Sequence, residues 1–370
     1  MVDRFKKGAR MDLSRLQLNP HKLWHHLDRV QAWKDGEYFP PVFLEFSPTD
    51  RCNQRCWFCY TEYLGHSKTD IRDEDMVRIF KDLGHSGVRA VQIQGTGEPL
   101  LNPGTPDAIV EGNKAGLSLA LCSNGVLMNE DTPAKIMPHL DWIRISALAS
   151  TPEAYAKTHV CPEPHWNRVI ENIKRCVEVR NGTGLKTVIG ASFVVSVDSA
   201  TDVYDTTSML KDLGVDFVLI KPAQILSHNE NHIWKKDVYK EFEDLLTKTE
   251  ALQSDEFLVS FRRDQFGVQE NQGAFKKDFD KCHGLTFEAM VDADYGVYPC
   301  LQFWRNEEYC YGNLKEQTFE EIWRSDRRKE VQDKILNQYD LDQCTCSCKQ
   351  SHVNRELCKL ANPPMHVNFL

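Results

Sequence analysis

Three cysteines in a C-x3-C-x2-C run constrain this chain more than any other feature. They lie in Ser47-Pro48-Thr49-Asp50-Arg51-Cys52-Asn53-Gln54-Arg55-Cys56-Trp57-Phe58-Cys59-Tyr60. Thiols this close on a loop cannot pair as disulfides without strained geometry. The run therefore points to metal ligation, and to an iron–sulfur cluster in particular. Three thiolates are one short of the four that a cubane cluster needs. One iron is left open to another ligand, much as a catalytic zinc keeps a position for substrate. Phe58, just ahead of the last cysteine, is an aromatic able to keep water off such a cluster. A zinc knuckle is the bland alternative for the same residues.

The other cysteines bear on compartment and on organisation. The chain has 13 of them. Its N-terminus, Met1-Val2-Asp3-Arg4-Phe5-Lys6-Lys7, lacks the apolar core of an export signal. Thiols without an export signal imply a reducing cytoplasm and ligation rather than disulfides. No run of about 18 apolar residues suggests a membrane helix. Cys122, Cys161 and Cys176 are scattered, whereas seven cysteines fall after Lys281. That asymmetry implies two metal-bearing regions. The net charge of −9 argues against long polyanions such as DNA or tRNA as partners.

Periodicity supplies the architecture. Residues 1–40 read as a helical lead-in, with His21, His25 and His26 expected on helix surfaces. Val42–Phe46 is the first strand and runs straight into the cysteine loop. Strands then follow at 90–93, 117–121, 142–145, 187–195 and 217–220. Amphipathic helical stretches separate them, for example 73–83, 167–180 and 203–213. Six strands alternating with helices imply a parallel sheet with right-handed crossovers. Chemistry in such sheets collects at the carboxyl ends of the strands. The cysteine loop, Glu98, Asn124, Ser146 and Lys221 all fall there. The expected fold is α/β, a partial (β/α)6 TIM-like barrel over 41–253. A linker and a small α+β domain fill 254–370.

The cysteine spacing resembles the signature of the radical S-adenosylmethionine (SAM) enzymes. In that family the open iron is chelated by the amino and carboxylate groups of SAM. Gly95-Thr96-Gly97-Glu98-Pro99 resembles the family's "GGEP" element, with Thr96 standing between the two glycines. Its implied role is to bind the methionine end of SAM, with backbone approach allowed by glycine. Ser123-Asn124 resembles the strand-end pair that contacts ribose and carboxylate groups. Ser146 and Ser192 take ribose-facing positions, and Phe58 borders the cluster. Lys221 is a candidate for the SAM carboxylate or a substrate phosphate, and Arg144 for substrate contact; no base is named.

The C-terminal region resembles the SPASM or shorter twitch extension of the same enzymes. The resemblance rests on Cys282, Gly296-Val297-Tyr298-Pro299-Cys300, Tyr311-Gly312-Asn313-Leu314, Thr318-Phe319-Glu320-Glu321-Ile322-Trp323 and Cys344-Thr345-Cys346-Ser347-Cys348. It implies an auxiliary 4Fe-4S cluster on Cys282, Cys300, Cys348 and either Cys344 or Cys346. Cys310 and Cys358 are left as thiols. A zinc ribbon is the alternative for the group.

The resemblance implies a radical SAM oxidoreductase that takes hydrogen from a small polar metabolite (a sugar, aminocyclitol or nucleotide derivative). The auxiliary cluster would assist the oxidation. A flavodoxin- or ferredoxin-type protein would donate electrons. The alternatives are a peptide-modifying enzyme and a maturase acting on a partner protein.

Overall fold

The computed structural model describes residues 22–129, 131–196, 199–223, 238–263, 265–266, 276–345 and 348–368. Its strands are β1 (Phe43–Phe46), β2 (Ala90–Ile93), β3 (Ser118–Ser123), β4 (Trp142–Ser146), β5 (Val188–Val195), β6 (Phe217–Pro222), β7 (Leu258–Phe261), β8 (Glu288–Val291), β9 (Gly296–Tyr298) and β10 (Gly312–Asn313). Among the described residues they form one sheet in the order β10-β9-β8-β1-β2-β3-β4-β5-β6-β7. Neighbours from β8 through β1 to β7 are parallel, while β9 and β10 pair antiparallel.

Helix α1 (Leu27–Asp35) precedes β1, and the helices that cross between strands are α2 (Asp73–His85), α3 (Thr105–Lys114), α4 (Thr132–Ile136), α5 (Pro152–His159), α6 (Pro164–Thr183), α7 (Val203–Asp212) and α8 (Val238–Glu250). The C-terminal region adds α9 (Phe319–Arg324), α10 (Asp326–Gln338) and α11 (Ser351–Ala361). In α2, Met76, Ile79, Phe80 and Leu83 form a single buried stripe at helical spacing. Asp73, Glu74 and Asp75 complement the dipole of its first turn.

The α/β half-barrel foreseen from the alternation is present, and two strands extend it. β7 lies beyond residue 253, where the sequence reading set the domain boundary, and it continues the parallel sheet from β6. β8 belongs to the C-terminal region yet pairs in register with β1, Phe43 opposite Glu288 and Phe46 opposite Val291. An unpaired β1 edge would leave a row of backbone donors and acceptors exposed. Strand β8 satisfies them.

Residues 1–21 of the lead-in lie outside the described residues. Residues 22–40 dock on the C-terminal helix, where Leu23 and Val30 share a cluster with Phe287 and Leu357. The Thr318-Phe319-Glu320-Glu321 stretch owes its pattern to local physics. Thr318 and Glu321 form a reciprocal capping box that starts α9. The buried Trp323 then donates from its indole to Phe39 O at 2.8 Å.

Side chains alternate across the strands. Leu44, Phe46, Val91, Ile93, Ile143 and Ile145 enter the core beneath the helices. On the inner face Val188, Phe217 and Leu219 pack with Trp142 and Leu258 as an apolar floor. Gly190 is required there, because a Cβ would stand 2.1 Å from the Phe217 ring.

Candidate active site

The cysteine loop leaves β1 and is held from both sides. Asp50 and Thr49 are fully buried. The Thr96 hydroxyl donates to Asp50 Oδ1 at 2.5 Å and lies 3.1 Å from Ser47 Oγ. Arg305, from the C-terminal region, reaches across to pair with both Asp50 and Asp292. Glycine at 95 and 97 serves this packing: a Cβ on Gly95 would stand 2.1 Å from Ser47 Oγ, and one on Gly97 2.2 Å from Arg51 O. Close approach is the reason for both glycines, and what approaches is the cysteine loop.

Cys52, Cys56 and Cys59 come together. Burial pushes the Cys52 thiol up to about 11, and raises Cys56 and Cys59, with the neighbouring thiols adding to the effect on Cys52 and Cys56. Such a set resists ionisation until a cation arrives, and a coordinating metal inverts that preference. The donor set therefore fits an iron–sulfur cluster with one open iron. Among the described residues no three Cys, His, Asp or Glu are gathered tightly enough for a single ion. Phe58 lies edge-on to His159, centroids 5.6 Å apart. His159 is fully buried on the loop's far side. Its Nδ1 stands 3.3 Å from Cys56 Sγ and 3.0 Å from Gln54 Oε1.

Glu98, buried, ties the ends of β2 and β3. It accepts from Ser123 Oγ and Asn124 N, both at 2.7 Å, and from Leu100 N at 3.2 Å. Burial raises its pKa against these bonds. The Asn124 amide continues the chain to Asn53 Oδ1 at 2.6 Å, inside the cysteine loop. Gly95, Thr96, Gly97, Glu98, Ser123 and Asn124 thus make one scaffold beside the thiols. Ser146, the last residue of β4, stands opposite Ser192, which lies within β5 three residues before its end.

Above the apolar floor the inner face turns polar. Arg144 lies 5.4 Å over the Trp142 ring and donates to Cys122 Sγ at 3.1 Å. Lys221 is pushed down to about 8, by burial first and then by Arg144, with Arg262 adding to the effect and Cys122 and Glu45 opposing it. On the β1–β8 side, Lys349 bridges Glu45 and Glu288, at 2.5 Å from Glu288 Oε1, and lies over Phe43 at 5.3 Å.

The C-terminal thiols form the second group. Cys282, Cys300 and Cys344 are each raised by burial, and each feels Cys348. Cys346 lies outside the described residues. Cys310 is apart, donating to Gly312 O, and Cys358 donates to Lys281 O. Glu288 is close enough to Cys300 to add to its rise. Sequence reading missed Glu45, Glu288, Lys349, Arg305 and His159. A visible signal existed for the first two, a lone acid inside an otherwise apolar strand. The others come from loops or helices with no periodic cue.

Residues 46–191 match the family model described as the Radical SAM superfamily, and residues 282–349 the one described as an iron–sulfur cluster-binding domain, SPASM. Among curated proteins, similarity extends to the tungsten-containing aldehyde ferredoxin oxidoreductase cofactor-modifying protein of Pyrococcus furiosus. The two are 22% identical over 302 residues, covering 77% of this chain and 81% of that protein. The GTP 3′,8-cyclase of Aquifex aeolicus is 28% identical over 314 residues, covering 79% and 92%. The crystal structure of Streptococcus suis SuiB bound to S-adenosylmethionine superposes with a TM-score of 0.63 at 13% identity, covering 82% of this chain and 70% of that one. Native anSMEcpe with bound AdoMet gives 0.55 at 17% identity, covering 88% and 100%. At these identities the two structures speak for the fold.

Proposed function

The chain belongs to the radical SAM superfamily and carries a C-terminal SPASM domain, and from that premise we propose that it oxidises a small polar metabolite held inside the half-barrel. A sugar, aminocyclitol or nucleotide derivative is the substrate class. The observation that carries the reading is the inner face itself: an apolar floor below, charged groups above, and the cysteine loop at the strand ends. Two curated relatives are named for a GTP cyclisation and for modification of a tungsten enzyme's cofactor, which supports a small-molecule substrate.

Cys52, Cys56 and Cys59 would hold the SAM-binding cluster, and Cys282, Cys300, Cys348 and either Cys344 or Cys346 the auxiliary one. Bound together, a reduced 4Fe-4S cluster and SAM supply a 5′-deoxyadenosyl radical able to abstract hydrogen. The chain's own residues bind, orient and exclude water. Glu98 fixes Ser123 and Asn124 in the position to meet SAM, and Phe58 shields the thiols. Glu45 and Glu288, held by Lys349, would be the carboxylates to accept a hydroxyl proton in this reading. The second cysteine set beside Glu288 supports an oxidative outcome, with electrons entering from a flavodoxin- or ferredoxin-type donor.

Anaerobic reconstitution with SAM and dithionite tests the reading, with 5′-deoxyadenosine release scored against sugars and nucleotides. Alanine at Cys52, Cys56 or Cys59 is expected to abolish release. Alanine at Cys282 or Cys300 is expected to stop product formation while SAM cleavage continues. Full product formation by those last two variants would remove the oxidative role.

A further inference from the structure

The two walls of the inner face carry opposite charge. On one side stand Arg144 of β4 and Lys221 of β6, with Arg262 just past β7 at the rim. The Arg262 backbone N–H donates to Ile220 O, which sets it alongside Lys221. On the other side stand the carboxylates of Glu45 and Glu288, which share the single cation of Lys349. Arg144 and Lys221 face no anion that neutralises them among the described residues. Arg144 is engaged by a thiol and an aromatic face, neither of which is an anion at neutral pH. The Lys221 ammonium makes no hydrogen bond or ion pair with another described residue, and burial together with Arg144 disfavours its charge. Holding half-buried cations without a counter-ion costs free energy. That cost has a purpose if a ligand supplies the missing negative charge.

We propose that Arg144 and Lys221 form the seat for a phosphoryl group of the substrate, with the rest of the molecule extending toward Glu45 and Glu288. The inference rests on the reading of the inner face as the substrate site. A phosphate ester carries about −1.5 to −2 charges near pH 7, which matches these two cations better than a carboxylate does. The Arg144 guanidinium offers two parallel donors to such an oxyanion, and Lys221 a point charge. Repulsion from Glu45 and Glu288 forbids the reverse orientation. A phosphorylated molecule is thereby aligned with its hydroxyl-bearing end on the acidic side.

The test is calorimetric titration of the reconstituted protein, with SAM present and no reductant. The probes are inorganic phosphate, pyrophosphate and acetate. Pyrophosphate and phosphate are expected to bind at one site, and acetate about tenfold or more weaker. Arg144→Met and Lys221→Met should each weaken pyrophosphate about tenfold or more, and Lys221→Arg should restore most of the loss. Failure of the wild type to bind either phosphate probe would overturn the proposal. So would acetate binding as tightly, or both Met variants binding pyrophosphate as the wild type does. Release of 5′-deoxyadenosine by the wild type alone tests the radical reading separately.

Discussion

At Glu98 a single carboxylate accepts from the hydroxyl of Ser123 and the backbone of Asn124 and Leu100, all from inside the protein. Replacing it with glutamine turns an amide NH2 toward those donors. Glu98→Gln is expected to lose about 1–3 kcal/mol, read by urea denaturation. Lys221 poses the opposite case, a cation with no hydrogen bond or ion pair to another described residue. Its folded pKa of about 8 lies below the unfolded value of 10.5, with Arg144, Arg262, Cys122 and Glu45 facing it. Below pH 8 both states carry the proton and the full penalty applies. Between 8 and 10.5 the folded state releases the proton first, so the penalty fades as pH rises. Lys221→Met is therefore expected to be more stable than the wild type at pH 7, by up to about 3 kcal/mol. That advantage should vanish toward pH 10.5, as paired melts across pH will show.

Between elements, Arg305 is the link that matters most. It joins Asp50 at the head of the cysteine loop to Asp292 at the end of β8, both fully buried. Arg305 itself holds φ +56°, a left-handed conformation that a non-glycine residue adopts only when its surroundings demand it. Removing the guanidinium leaves two buried carboxylates facing each other. Arg305→Met should cost about 3–5 kcal/mol. Asp292→Asn in the same chain should return part of that. Hydrogen exchange across residues 47–62 would rise in the single variant if the loop depends on this link, and stay flat if it does not.

Across the whole molecule the sheet runs unbroken from the C-terminal hairpin to β7, so the SPASM region completes the half-barrel rather than hanging from it. A fragment ending at residue 266 would lack β8 and bare the inner edge of β1. It is expected to self-associate through that edge, visible as multimers by size-exclusion chromatography. A monodisperse, cooperatively folding fragment would instead place an independent folding unit before the C-terminal region.

Much was legible in the residues alone. The spacing of Cys52, Cys56 and Cys59 is local chemistry, because three thiols in one loop allow few uses. The strands β1 to β6 and the grouping of polar residues at their ends follow from periodicity, which is also local. Strand β7 escaped because Leu258–Phe261 is short and sits among polar neighbours. The pairing of β8 with β1 joins residues far apart in sequence, and no pattern in either strand names its partner. The same holds for Arg305 with Asp50, and for Lys349 between Glu45 and Glu288. A buried charge can be suspected from sequence, but its partner is chosen by the crossovers of the fold. The loop chemistry was therefore written in the chain, while the balance of charge inside the barrel was decided only when the two ends of the chain met in one sheet.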